Sequence, residues 1–85
     1  MAECYIAVRS VTYAQKLVRV LQVYGIRAKA TKSPKEIGAN GCGHAVYVKN
    51  GDPQKLRILI ETEDFPMFRI YTTTDHVNYR EYISL

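Results

Sequence analysis

The sequence predicts an α+β domain with the element order β-α-β-β-α-β. Three observations carry this expectation. Hydrophobic periodicity switches along the chain between strand-like alternation and the helical repeat of 3.6 residues. Glycine and proline signals fall at the switches rather than inside the periodic runs. A length of 85 residues supplies one hydrophobic core, because two would each fall below the size at which a domain folds alone. With 47% hydrophobic and 24% charged residues the chain has an ordinary globular mix, which excludes disorder and low-complexity architectures.

The first strand is Cys4 to Arg9, with Cys4, Ile6 and Val8 on one face and Tyr5, Ala7 and Arg9 on the other. A helix follows as far as Tyr24. Thr12 and Gln15 have capping-box spacing, Ser10 is an equally good cap, and Gly25 is placed to end the helix. Ala14, Leu17, Val18 and Leu21 form its apolar stripe. Ile26 to Ala30 alternates small apolar with cationic residues, as an edge strand does. Ser33-Pro34 and the glycine-rich stretch from Gly38 to Gly43 then make a loop before a third strand, His44 to Lys49. Asn50-Gly51 is a turn, and Asp52-Pro53 is an N-cap with proline at the first helical position. Leu56, Leu59, Ile60 and Glu63 lie on one side of the second helix, and Met67 to Thr73 is the fourth strand. Residues 75–85 form a C-terminal extension whose pattern fits a short helix or a further strand equally well.

With short connections and right-handed crossovers, this order gives a ferredoxin-like split β-α-β sandwich, two helices on one face of a four-stranded antiparallel sheet. The whole of 1–85 is one domain, with its core over about 3–73. The topology separates the two cysteines. Cys4 opens the first strand in the inward phase, where a thiol is a small hydrophobe. Cys42 lies on the loop at the opposite end, beside the start of the first helix, so the pair should not be bridged.

Charge is unevenly placed: residues 1–35 carry seven basic side chains against Glu3, and residues 36–85 carry five against seven acidic. Arg9, Lys32 and Lys35 fall near Cys42, and a helix N-terminus with nearby cations stabilises thiolate over thiol. Gly41 and Gly43 leave backbone amides accessible beside the sulfur. The alternative is a surface cysteine in a glycine-rich turn. His44 is a strand-end residue or a thiolate partner; with Cys42 it makes an incomplete ligand set for Zn(II) or Cu(I), so no metal is expected. On the sheet face away from the helices, Tyr5, Arg27, Lys29, Tyr47, Arg69 and Tyr71 interleave aromatics with cations. This suits a protein contact such as a homodimer, or, as the rarer use, single-stranded nucleic acid. Glu61, Glu63 and Asp64 crowd a helix C-terminus as a partner contact or a solvated end, and His76 has no motif around it. Phosphate-loop, dinucleotide-fold and zinc-protease signatures are missing. No apolar run approaches the length of a membrane span and no secretory pattern opens the sequence, which makes a reducing cytoplasm the default.

Val8-Arg9-Ser10, then Leu21 with Gly25-Ile26, then Ser33-Pro34-Lys35-Glu36-Ile37, and finally Cys42-Gly43 before a strand resemble the small selenium/sulfur carrier-like proteins over about residues 4–73. Gly38-Ala39-Asn40-Gly41 stands where that family usually has serines, and His44 and the tail lie outside its pattern. The resemblance implies a carrier, more than an enzyme with turnover, that holds a persulfide or selenide on Cys42. It further implies a donor and an acceptor protein and no cofactor. Arg9, Ser10, Lys32, Lys35, Gly41, Gly43 and His44 are then the candidates for stabilising the anion or docking the partner.

Overall fold

The computed structural model describes residues 2–38 and 43–83. Within them lie strands β1 (Ala2–Val8), β2 (Lys29–Lys32), β3 (His44–Gly51), β4 (Arg69–Thr73) and β5 (Arg80–Tyr82), and helices α1 (Val11–Val23), α2 (Lys35–Gly38) and α3 (Pro53–Thr62). The strands form an antiparallel sheet in the order β2-β3-β1-β4-β5. The architecture is α+β as expected, but with five strands and three helices in place of four and two.

Local chemistry sets the helix ends. Ser10, and not Thr12, caps α1: its backbone is extended and its Oγ accepts the Tyr13 amide at 3.3 Å. At the other end Gly25 takes a φ of +76°, which a side chain resists. The amides of Gly25 and Ile26 can then return to the carbonyls of Gln22 and Leu21, both at 2.9 Å, in a Schellman closure. Asp52 caps α3, its Oδ1 accepting the amides of Gln54 at 3.1 Å and Lys55 at 3.4 Å.

Alternation along β1 points Cys4, Ile6 and Val8 at α1 and α3. There they join Ala14, Leu17 and Leu21 of α1, Leu56 and Ile60 of α3, Val46 and Val48 of β3, and Ile70 of β4 in the main core. Fully burying each of its larger aliphatic side chains contributes about 1.5–3 kcal/mol. Gly51 faces this core so closely that a Cβ there would lie 2.7 Å from Cys4 Sγ and 3.1 Å from Leu56 Cδ1.

The departures from expectation have local causes. Lys35–Gly38 is helical because Pro34 starts a turn whose carbonyl accepts the amides of Ile37 at 3.1 Å and Gly38 at 2.9 Å. Ile37, 1% exposed, is buried with Ala7 and Tyr71 on the sheet face opposite α1 and α3, so the helices are not confined to one face. The C-terminal extension resolves as strand β5, where Tyr82 pairs with Ile70 and lies against the main core, so that core reaches beyond residue 73. Ladder pairing of the second strand begins only at Lys29 and that of the fourth only at Arg69. Among the described residues no helix is long and apolar enough to cross a membrane.

Candidate functional site

Strand register assembles one end of the sheet. His44 pairs with Val8 on one side and Lys32 on the other. Because Val46 and Val48 share its phase, His44 lies on the face that carries α1 and α3. Arg9 and Ser10 follow Val8 directly and lead into α1, so its N-terminus opens at this same end. The first turn of α1 holds no acidic residue, and its positive dipole end is therefore not offset by a carboxylate of its own. One rung beyond Lys32 and His44, the Ser33 amide donates to the Gly43 carbonyl at 3.1 Å and closes the base of the loop. Ser33 Oγ is buried there and has no hydrogen-bond partner among the described residues.

Of the candidate site residues, the fold thus brings Arg9, Ser10, Lys32, Gly43 and His44 to one end. Arg9, Lys32 and Lys35 are exposed, His44 is half-buried, and the hydroxyl of Ser10 is committed to the helix cap. Lys35 belongs to α2, on the side that Ile37 anchors to the opposite sheet face. Cys42 and Gly41 lie outside the described residues. Ile37 was not among the expected core residues, although its signal was present: one aliphatic side chain in an otherwise polar or glycine-rich loop.

Cys4 occupies the other half of the strand, paired with Val48 and Thr72. It is a free cysteine with no exposed surface, and its Sγ donates weakly to the Ala2 carbonyl at 3.7 Å. Burial pushes its thiol up to about 11. Such a sulfur is neither accessible nor ionised at neutral pH, as its inward phase indicated.

The face expected to be open is partly closed. Tyr71 is 6% exposed beneath Ile37, and Tyr5 is half-buried between Tyr47, with ring centroids 5.0 Å apart, and Tyr79 at 5.7 Å. Arg27 precedes β2 and is not part of the ladder, so the row of tyrosines and cations expected for a stacking platform is not formed. In its place stands a polar network. Tyr47 donates its hydroxyl to Glu3 Oε1, His76 Nε2 lies 2.8 Å from that same oxygen, and the Tyr5 hydroxyl is 3.3 Å from His76 Nδ1. His76 reaches this position from a tight turn with a φ of +59°. Asp75 Oδ1 holds that turn by accepting the amides of Val77 at 2.9 Å and Asn78 at 2.8 Å, and these bonds lower its carboxyl to about 2. The hydrogen bond from Tyr47, followed by that of His76, holds Glu3 below the usual carboxylate range, and the same bond to Glu3 raises Tyr47 to about 12. Sequence reading missed this network, because His76 and Glu3 are 73 residues apart.

The acidic cluster at the end of α3 is engaged within the chain, since Glu63 accepts the Tyr24 hydroxyl at 2.5 Å and Glu61 pairs with Arg57 at 3.6 Å. Among the described residues no three His, Cys, Asp or Glu side chains are grouped to hold a metal.

No curated protein and no solved structure matches the chain at a significant level. A family profile matches from Glu3 in β1 to Thr72 in β4, leaving the His76 turn and β5 outside it. On that match, over residues 3–72 of 85, the chain belongs to the family described as Putative Se/S carrier protein-like.

Proposed function

We propose that the chain carries a sulfur or selenium atom on Cys42, as a persulfide or its selenium counterpart, from a donor protein to an acceptor protein. One observation supports this most: the register Val8–His44–Lys32 sets the cationic base of the Cys42 loop and the acid-free N-terminus of α1 at one sheet end. An anionic sulfur is favoured there by the dipole and by Arg9, Lys32 and Lys35. Cys4, buried and protonated, does not compete. In the transfer step the Cys42 thiolate attacks the outer sulfur of a donor persulfide. The new S–S bond forms as the donor's own S–S bond breaks, and the donor's inner sulfur leaves as thiolate. Nothing is oxidised or reduced overall, so the step needs no cofactor on this chain. In this reading the backbone amides of Gly41 and Gly43, the chain neighbours of Cys42, serve the terminal sulfur, and His44 follows them at the head of β3. The strand order β2-β3-β1-β4 supports a ferredoxin-like frame for this chemistry, extended by β5 at its β4 edge. A reducing cytoplasm is the compartment in which such a thiol stays free.

The test is intact-mass spectrometry after incubation with a cysteine desulfurase, cysteine and pyridoxal phosphate. One added sulfur is expected on the wild-type chain and none on Cys42→Ser. No adduct on the wild type, with the same donor active on another carrier, refutes the proposal.

A further inference from the structure

Away from the Lys32–His44 end of the ladder, a groove of about 590 Å³ opens along the β2 edge of the sheet, between residues 25–29 and 47–50. It exists because the β2–β3 ladder stops early. Lys29 pairs with Tyr47, and no rung is formed with the rest of β3, from Val48 to Gly51. Continuing the same register would set Arg27 directly opposite Lys49. Like charges directly opposite each other destabilise a strand pair. Arg27, Lys29 and Lys49 are all exposed, none makes a salt bridge among the described residues, Lys49 feels a nearby carboxylate, that of Glu3, and no acidic side chain lines the groove. Ile26 and Ala28, both half-buried, supply apolar surface between the cations.

We propose that this groove docks an extended acidic segment of a partner protein, which adds as a strand beside Val48–Asn50 and sets its carboxylates between Arg27, Lys29 and Lys49. The unpaired edge supplies main-chain partners, and the facing cations select charge. A peptide fits better than a nucleic acid. Tyr47 is the one aromatic in the lining and its hydroxyl is held by Glu3, so the groove lacks the series of rings on which successive bases stack. The site does not depend on the chemistry of Cys42.

The test is fluorescence anisotropy with a labelled hexapeptide alternating glutamate and valine, together with amide mapping by NMR. Saturable binding at low salt is expected, with shifts concentrated in residues 25–29 and 47–50. Joint Arg27→Glu and Lys49→Glu substitution should weaken binding at least about tenfold with an unchanged circular dichroism spectrum. Should that pair unfold the chain, Lys49→Gln alone should weaken it about threefold. A peptide N-methylated at alternate residues should lose binding, and Cys42→Ser should retain it in full, which separates this site from the sulfur proposal. Absence of saturable binding, shifts elsewhere, full binding by the charge variants, or tighter binding of an oligouridine at the same amides would each overturn it.

Discussion

The two thiols should differ in reactivity by orders of magnitude, and Cys42→Ser isolates the slow one. For Cys4 two effects oppose reaction, and only one of them sets the rate. Raising its pKa from 9.0 to about 11 lowers its thiolate fraction at neutral pH about a hundredfold. The larger effect is access, because the side chain has no exposed surface and its strand is hydrogen-bonded on both sides, to β3 and β4. Exposing it therefore requires an opening close to global unfolding. At a stability of about 5 kcal/mol that opening is populated roughly once in 10³–10⁴ molecules. In the opened state the thiol titrates normally, so access alone sets the rate and the ionisation penalty does not multiply it. With excess Ellman's reagent at pH 7.5, the native wild type should release one equivalent of chromophore quickly. Cys42→Ser should react about 10³-fold more slowly, and both chains should show all their thiols in denaturant. If native Cys42→Ser reacts within about tenfold of a free thiol, the buried and inert assignment of Cys4 fails.

Gly51→Ala should destabilise by about 1–3 kcal/mol in urea unfolding, because its Cβ would sit 2.7 Å from Cys4 Sγ. Cys4→Ala in the same chain should return part of that loss, and strict additivity of the two changes would show that the close contact is not the cause. Ser10→Ala removes the cap of α1 and should cost about 1 kcal/mol, lowering Tm by about 4–8 °C. It should also slow the Cys42 thiol if the α1 dipole acts on it. Glu3 has a folded pKa below its ordinary 4.5, so its contribution to stability is present above that value and lost as pH falls through the folded one. Tyr47→Phe should move the Glu3 carboxyl resonance titration upward toward 4.5, and an unchanged midpoint would refute the Tyr47–Glu3 bond.

Much of the frame was legible because local chemistry decided it. Asp52-Pro53, Gly25 and the alternation through Cys4, Ile6 and Val8 each fix a boundary or a face without help from distant residues. Ser10 and Thr12 could not be separated by type, since both are good caps. Backbone geometry separates them: Ser10 is extended, and Thr12 is already inside the first turn. What escaped was long-range. Arg80–Tyr82 is too short for periodicity to identify and becomes a strand because β4 offers an unpaired edge. Ile37 sits in a four-residue helix whose only large apolar contact lies across the sheet. The tyrosine face looked open from alternation alone, which cannot say that a loop folds over it. At one end of the sheet Arg9, Lys32, Gly43 and His44 come together, because antiparallel pairing fixes which loops share an end, whereas Lys35 goes with α2 toward the opposite face.

The groove and the Cys42 loop stand at opposite ends of one strand. From His44, Val48–Asn50 lie four to six residues along β3, roughly 13–20 Å at about 3.3 Å per residue. A short acidic segment bound beside Val48–Asn50 would lie away from the loop base at Lys32 and His44, so under the proposed function the feature that selects a partner would be separate from the end where transfer takes place. The arrangement has a physical advantage. Acidic side chains close to Cys42 would raise its pKa and leave less thiolate, whereas the same charges held at Arg27 and Lys49 would stand about five residues of strand from His44, roughly 16 Å, against a Debye length of about 8 Å at physiological salt. A donor and an acceptor could then present the same acidic strand and differ only in the surface each brings to the loop. Both the cations at the sulfur end and those at the groove come largely from the first half of the chain, Arg9, Lys32 and Lys35 at one and Arg27 and Lys29 at the other. On the two proposals together, the charge asymmetry of the sequence would divide into two local fields with separate tasks.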